Sequence, residues 1–243
     1  MFSIARALVI VAAAVASATA YTYDRINRDD AAVLIVDIQT GLFQLVHDIE
    51  PRAYRNNILG YSALAKYFEL PTVLTTSAET GPNGPFPKEI LDDHPDAPYV
   101  KRQGEVNAWD NEEFREAVKA TGKKQLIVAG ITTDVCVTFL ALSLREAGYD
   151  VFVVAEASGT FDPPTADLAN QRMLSAGVHI MSLFSVGCEL MRDWRDAPGG
   201  AAVAQRFYAK WIPSYEGILN SWTATQPSEP PAQKMLDGDQ EPL

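Results

Sequence analysis

The stretch Val128-Ala129-Gly130-Ile131-Thr132-Thr133-Asp134-Val135-Cys136-Val137 decides how the rest of the chain is read. Leu126 to Ala129 is an apolar run of strand length that stops at Gly130. Two threonines follow, and Val135, Phe139 and Leu142 then recur at helical spacing. A strand therefore feeds a helix directly, and Cys136 falls in the first turn of that helix. Unpaired backbone N–H groups and the positive end of the helix dipole meet there, and both favour a thiolate and a developing oxyanion. The expectation is a thiol with a lowered pKa; the plain alternative is a buried structural cysteine.

Working outward, strand-like and helix-like segments alternate. Ala31 to Ile38 is continuously apolar up to Asp37, as in a strand buried on both faces. Pro51 opens a helix whose apolar positions are Ile58, Tyr61, Leu64, Ala65 and Phe68. Thr72 to Thr76 is a short strand, Gly81 to Pro87 a rigid loop, and Tyr99 to Arg102 a weak strand. Asp110 is placed to cap a helix that runs to about Thr121. After the cysteine helix come a strand over Val151 to Ala155, a helix over Thr165 to Ala176, a strand over Val178 to Met181 and a helix over Ser185 to Trp194. This alternation predicts an α/β fold, a doubly wound three-layer α/β/α sandwich around a parallel sheet. In such sheets reactive groups collect beyond the carboxyl ends of the strands. Asp37, Lys101 and Cys136 all fall at that edge. A lone lysine is otherwise a solvated surface charge, and a strand-end aspartate a turn or cap residue.

The two ends read differently. Residues 1–20 carry Arg6, a short apolar run from Ala7 to Ala16, and Ala18-Thr19-Ala20, the layout of a secretory signal peptide cleaved after Ala20. A secreted protein is expected, with a single α/β domain over 21–196, an aromatic-rich arm over 197–225 and a disordered tail over 226–243. The arm holds Phe207, Tyr208, Trp211, Tyr215 and Trp222, and reads as partly helical. The formal charge of −11 becomes one unit more negative without Arg6, which argues against nucleic acid or, after leader cleavage, a membrane as partner. Two cysteines, Cys136 and Cys188, make no disulfide framework, and whether they pair stays open.

Several segments together resemble the isochorismatase-like cysteine hydrolases, most closely their YcaC-like branch. They are Leu34-Ile35-Val36-Asp37-Ile38-Gln39, Leu74 to Pro85, Asn107-Ala108-Trp109-Asp110, the cysteine segment, Ala157-Ser158-Gly159-Thr160-Phe161 and Arg192-Asp193-Trp194. The resemblance covers roughly residues 30 to 195 and leaves out the leader and everything beyond Asp196. It implies a six-stranded parallel sheet and an Asp–Lys–Cys triad of Asp37, Lys101 and Cys136. It also implies a cis peptide at Ile131–Thr132, with the backbone N–H groups of Thr132 and Cys136 aimed at an oxyanion, and assembly into a homo-oligomer. Gln39, Phe43, Thr76, Glu79, Asn107 and Trp109 are the candidates for lining a substrate pocket, with loop packing as the alternative.

Relatives with nicotinamidase activity carry an Asp-x-His segment and a further histidine for a metal. This chain has only His47, His94 and His179, and reads Ser77-Ala78-Glu79 after the second strand. No metal and no cofactor are therefore expected. The expected activity is hydrolysis of a small amide or carbamoyl substrate through a thioester on Cys136. Two alternatives are kept: a vinyl-ether hydrolase of isochorismatase type with Asp37 as general acid, and a secreted protein that binds without catalysis.

Overall fold

The structure, a computed structural model, describes residues 23–225; the expected leader and tail lie outside the described residues. Six strands run β1 (Ala31–Val36), β2 (Thr72–Ser77), β3 (Tyr99–Arg102), β4 (Gln125–Gly130), β5 (Asp150–Val154) and β6 (His179–Met181). They form one all-parallel sheet in the order β3-β2-β1-β4-β5-β6. The order reverses at β1, so β1 and β4 sit at the centre and their carboxyl ends flank the switch point.

Helices cover both faces. The helices are α1 (Pro51–Tyr67), α2 (Lys88–Asp93), α3 (Glu112–Ala120), α4 (Thr138–Glu146), α5 (Pro163–Ser175), α6 (Leu183–Met191), α7 (Ala201–Trp211) and α8 (Tyr215–Thr225). Every residue of β1 is buried because its pleat feeds two cores. Ala31, Val33 and Ile35 pack with Ile58 and Leu64 of α1, Val186 of α6 and Tyr208 of α7. Ala32, Leu34 and Val36 pack with Phe114 of α3, Leu140 and Leu144 of α4 and Met173 of α5. The doubly wound three-layer α/β/α sandwich is thus present.

Local corrections concern helix starts. Asn111, not Asp110, caps α3: its side chain accepts from the Phe114 N–H, while Asp110 ends a single 3₁₀ turn. Asp162 caps α5 with Pro163 at its first position, two residues before the expected start. The short helix α2 has too few apolar repeats to be legible by periodicity. The aromatic segment forms α7 and α8, and Ala204 and Tyr208 are fully buried, which makes α7 part of the first core.

Candidate active site

The site begins where β1 and β4 end side by side. Gly130 is in register with Val36, and a Cβ there would lie 2.1 Å from the Val36 carbonyl oxygen. Glycine alone tolerates that approach, which brings the chain leaving β1 beside the chain leaving β4. At Asp37 the backbone turns to φ 53°, a left-handed conformation that ends the strand's alternation. Asp37 still donates its N–H to the Thr75 carbonyl at 2.9 Å, so the turn is anchored to β2.

Beyond Gly130 the Ile131–Thr132 peptide is cis, as expected. Thr133–Val137 is one wide π turn, after which α4 begins at Thr138. The Val135 and Val137 N–H groups both donate to the Thr132 carbonyl, and Thr133 N–H donates to Gly159. Such turns are frequent at functional sites. Cys136 sits in this turn, half-buried and packed on the second core.

Its thiol faces Asp37. Burial pushes the Cys136 pKa far up, and the Asp37 charge and hydrogen bond push the same way; the Thr132 backbone N–H and then Arg102 pull against them. The lowered pKa expected from a helix start is therefore corrected: desolvation and a neighbouring carboxylate outweigh the local backbone dipoles. Both effects favour the protonated thiol over the thiolate.

The cation of the site is Arg102, not Lys101. Arg102 and Asp37 form an ion pair with both side chains fully buried, Arg102 Nη2 meeting Asp37 Oδ1. Arg102 Nε donates to Thr75 Oγ1 at 2.9 Å, and Nη1 donates to the Glu105 carbonyl. Lys101 points to the other face of β3, with its side chain 54% exposed. Its Nζ lies 2.7 Å from Glu79 Oε1 and 4.8 Å from the centre of the Tyr99 ring. Successive strand residues face opposite sides, so an assignment one residue off moves the charge to the wrong layer. The expected triad member Lys101 is thus replaced in place by Arg102. The signal was in the strand: Val100 and Arg102 share the buried side that Cys136 packs against.

Asp37 is pushed above the ordinary carboxylate range by burial, against the lowering effects of the Arg102 charge, its hydrogen bond and the thiol. Its Oδ1 is taken by Arg102, while the buried Oδ2 has no fixed hydrogen-bond partner. That oxygen is the one left open on the side of the carboxyl that Arg102 does not occupy.

The six candidate pocket residues each have neighbours of their own. Gln39 is fully buried and braces two loops, bonding Ser77 N, Ser77 O and Gly84 O, so both of its amide hydrogens are committed. Thr76 and Tyr99 both donate to Glu79 Oε2, in the cluster that holds Lys101. Asn107 caps a 3₁₀ turn and donates to Ser143 Oγ at 2.9 Å, and Trp109 packs edge-on to Tyr149. Phe43 lines a recess of about 510 Å³ together with Val46, His47 and Asp48. Loop bracing accounts for most of the set.

The histidines are occupied separately: His47 Nε2 contacts the Gln44 carbonyl, His94 Nε2 the Ser62 carbonyl, and His179 faces Asp24. Among the described residues no three His, Cys, Asp or Glu side chains come together as a metal site. Cys136 and Cys188 are both free.

A parallel sheet with a buried acid, a buried cation and a thiol at its switch point has the makings of a hydrolase site, and the comparisons identify the family. The protein-family model described as the isochorismatase domain matches residues 31–184, and the chain belongs to that family. It is a hydrolase of that family. It is 54% identical over 200 residues to the probable hydrolase YcaC of Escherichia coli, covering 82% of this chain and 95% of that one. The solved structure of E. coli YcaC, described as an octameric hydrolase of unknown specificity, superposes with a TM-score of 0.82 at 53% identity, covering 85% of this chain and 100% of that one. YcaC from Pseudomonas aeruginosa, solved with hexane-2,5-diol and covalent acrylamide, gives a TM-score of 0.81 at 51% identity, over 84% of this chain and 100% of that one. A match of 200 residues cannot end at Asp196. The likeness therefore runs past the boundary drawn from sequence fragments, and membership of a hydrolase family displaces the reading of an idle binding protein.

Proposed function

We propose that the protein is a metal-independent cysteine hydrolase of a small amide or carbamoyl compound, working through a thioester on Cys136. The observation that carries this reading is a buried thiol facing a carboxyl whose second oxygen has no other partner. Sγ attacks the substrate carbonyl carbon as the thiol proton passes to Asp37 Oδ2. The carbonyl oxygen takes the negative charge, and the Thr132 backbone N–H, which pulls the thiol pKa down, is the group proposed to stabilise it. Collapse breaks the C–N bond, and Asp37 returns the proton to the leaving nitrogen. Water then adds to the thioester, gives its proton to Asp37, and the departing sulfur recovers it. Arg102 holds Asp37 throughout. The metal-independent reading is supported by the donor set, in which the three histidines have separate neighbours. The Pseudomonas relative carries covalent acrylamide, a small amide-bearing electrophile. For this chain the nucleophile proposed for such a compound is Cys136.

A second reading has its own support. Burial raises the Asp37 pKa, which favours a protonated carboxyl able to act as general acid on a vinyl ether. Intact-mass spectrometry of the protein acid-quenched during turnover of a panel of small amides and carbamoyl compounds separates the two. The thioester reading expects an acyl increment on Cys136 and no turnover by Cys136→Ala. Full turnover by that variant would assign the reaction to Asp37 alone.

We further propose that the chain assembles from identical subunits, as the octameric E. coli relative does, and is exported after cleavage behind Ala20. Light scattering and N-terminal sequencing of secreted protein test these; a monomer, or a retained Met1, would overturn them respectively.

A further inference from the structure

Carboxylate and guanidinium groups favour a two-point fork, in which two N–H groups meet both carboxylate oxygens. The Arg102–Asp37 pair does not adopt it. Only Nη2 reaches the carboxylate, and only at Oδ1. The other two directions of the guanidinium are taken: Nη1 by the Glu105 carbonyl and Nε by Thr75 Oγ1 at 2.9 Å. Thr75 gives its own hydroxyl proton to the Val100 carbonyl at 2.9 Å, so its lone pairs are what it offers to Arg102. Thr75 and Arg102 are both sealed from solvent, at 0% and 1% exposure, so water does not supply a substitute acceptor.

We infer that Thr75 is a positioning residue: by occupying Arg102 Nε it holds the guanidinium to a one-point contact and keeps Asp37 Oδ2 open to the Cys136 thiol. Without that acceptor, Nε is a buried donor with no partner, and the same ion pair holds an open acceptor in the second carboxylate oxygen. A fork would then form and occupy the oxygen that takes the proton. The inference rests on the reading of Asp37 as the base. The ionisable groups that bear on Asp37 are Arg102 and Cys136.

The test is the rate of Cys136 alkylation by iodoacetamide against pH, in full-length protein carrying Cys188→Ser. Thr75→Val is expected to lower the plateau roughly tenfold and to move the acid limb about one pH unit lower, because a second hydrogen bond favours the charged carboxylate. Thr75→Ser is expected to restore both. A merely structural loss would scale the curve without moving its limb. If the valine variant does not fold, Thr75→Ala is read by the same limb. A limb that stays at the wild-type pH in Thr75→Val or Thr75→Ala overturns the inference, provided Asp37→Asn abolishes that limb. If Asp37→Asn leaves the wild-type curve intact, it is the underlying assignment of the base that fails.

Discussion

Two ion pairs stand back to back across the end of β3, and they do opposite work. On one side Arg102 and Asp37 are both sealed from solvent, with Thr75 and the Glu105 carbonyl completing the shell. On the other, Lys101 meets Glu79 with more than half of the lysine side chain in water. A buried pair is held because each charge would be costly without the other, whereas an exposed pair adds little and is screened by salt. The pKa shifts follow. Burial raises Asp37 above its ordinary range although Arg102 touches it. At Glu79 burial also pushes up, but hydrogen bonds from Lys101, Tyr99 and Thr76 together bring the carboxyl below its usual value. Burial decides the direction at the dry pair, and hydrogen bonding decides it at the wet one.

The contrast is broken most forcefully at the acid itself. Asp37→Asn keeps the shape and removes the base, and is expected to cut turnover by about 10²–10⁴-fold. Lys101→Met is expected to leave turnover within about twofold, in a steady-state assay on any substrate the amide panel supplies. Removing the buried cation tests stability. Arg102→Met leaves Asp37 uncompensated and is expected to cost about 3–5 kcal/mol in urea unfolding.

The thiol gives a smaller, pH-dependent effect. Its native pKa is raised above the ordinary value near 9.0 at which the unfolded thiol ionises. Below that pH both states hold the proton and the effect is fully present. Above it the unfolded chain loses the proton first, so stability falls as pH rises. Unfolding midpoints of Cys136→Ala are expected to decline less between about pH 9 and 10 than those of the wild type. Least affected is the exposed pair: Glu79→Gln is expected to change stability by about 1 kcal/mol or less, shrinking further in high salt.

The same contrast explains what the sequence disclosed. The fold was legible because buried strands such as Ala31–Val36 and Gln125–Gly130 are unbroken apolar runs and the helices between them repeat at helical spacing. Asp37 and Cys136 were legible because a strand end and a strand-to-helix turn are marked by Gly130 and by the change of period. Arg102 was missed because two cations are adjacent and a strand end does not announce which one faces inward. The alternation of Val100 and Arg102 against Tyr99 and Lys101 contained that answer. The raised thiol pKa was not legible, since desolvation depends on the second core closing around Cys136. Gln39, Thr76, Glu79 and Asn107 have the composition of a pocket but brace loops, a difference that lies in hydrogen-bond partners rather than residue type.

The most direct test of the central claim, that the Cys136 thiol hands its proton to Asp37 while Lys101 stands aside, is acrylamide labelling followed by intact mass across pH. Wild type and Lys101→Met are expected to take up one acrylamide on Cys136 at matching rates with the same acid limb, while Asp37→Asn labels far more slowly and without the limb. Labelling of Asp37→Asn at the wild-type rate, or slow labelling of Lys101→Met, would contradict it.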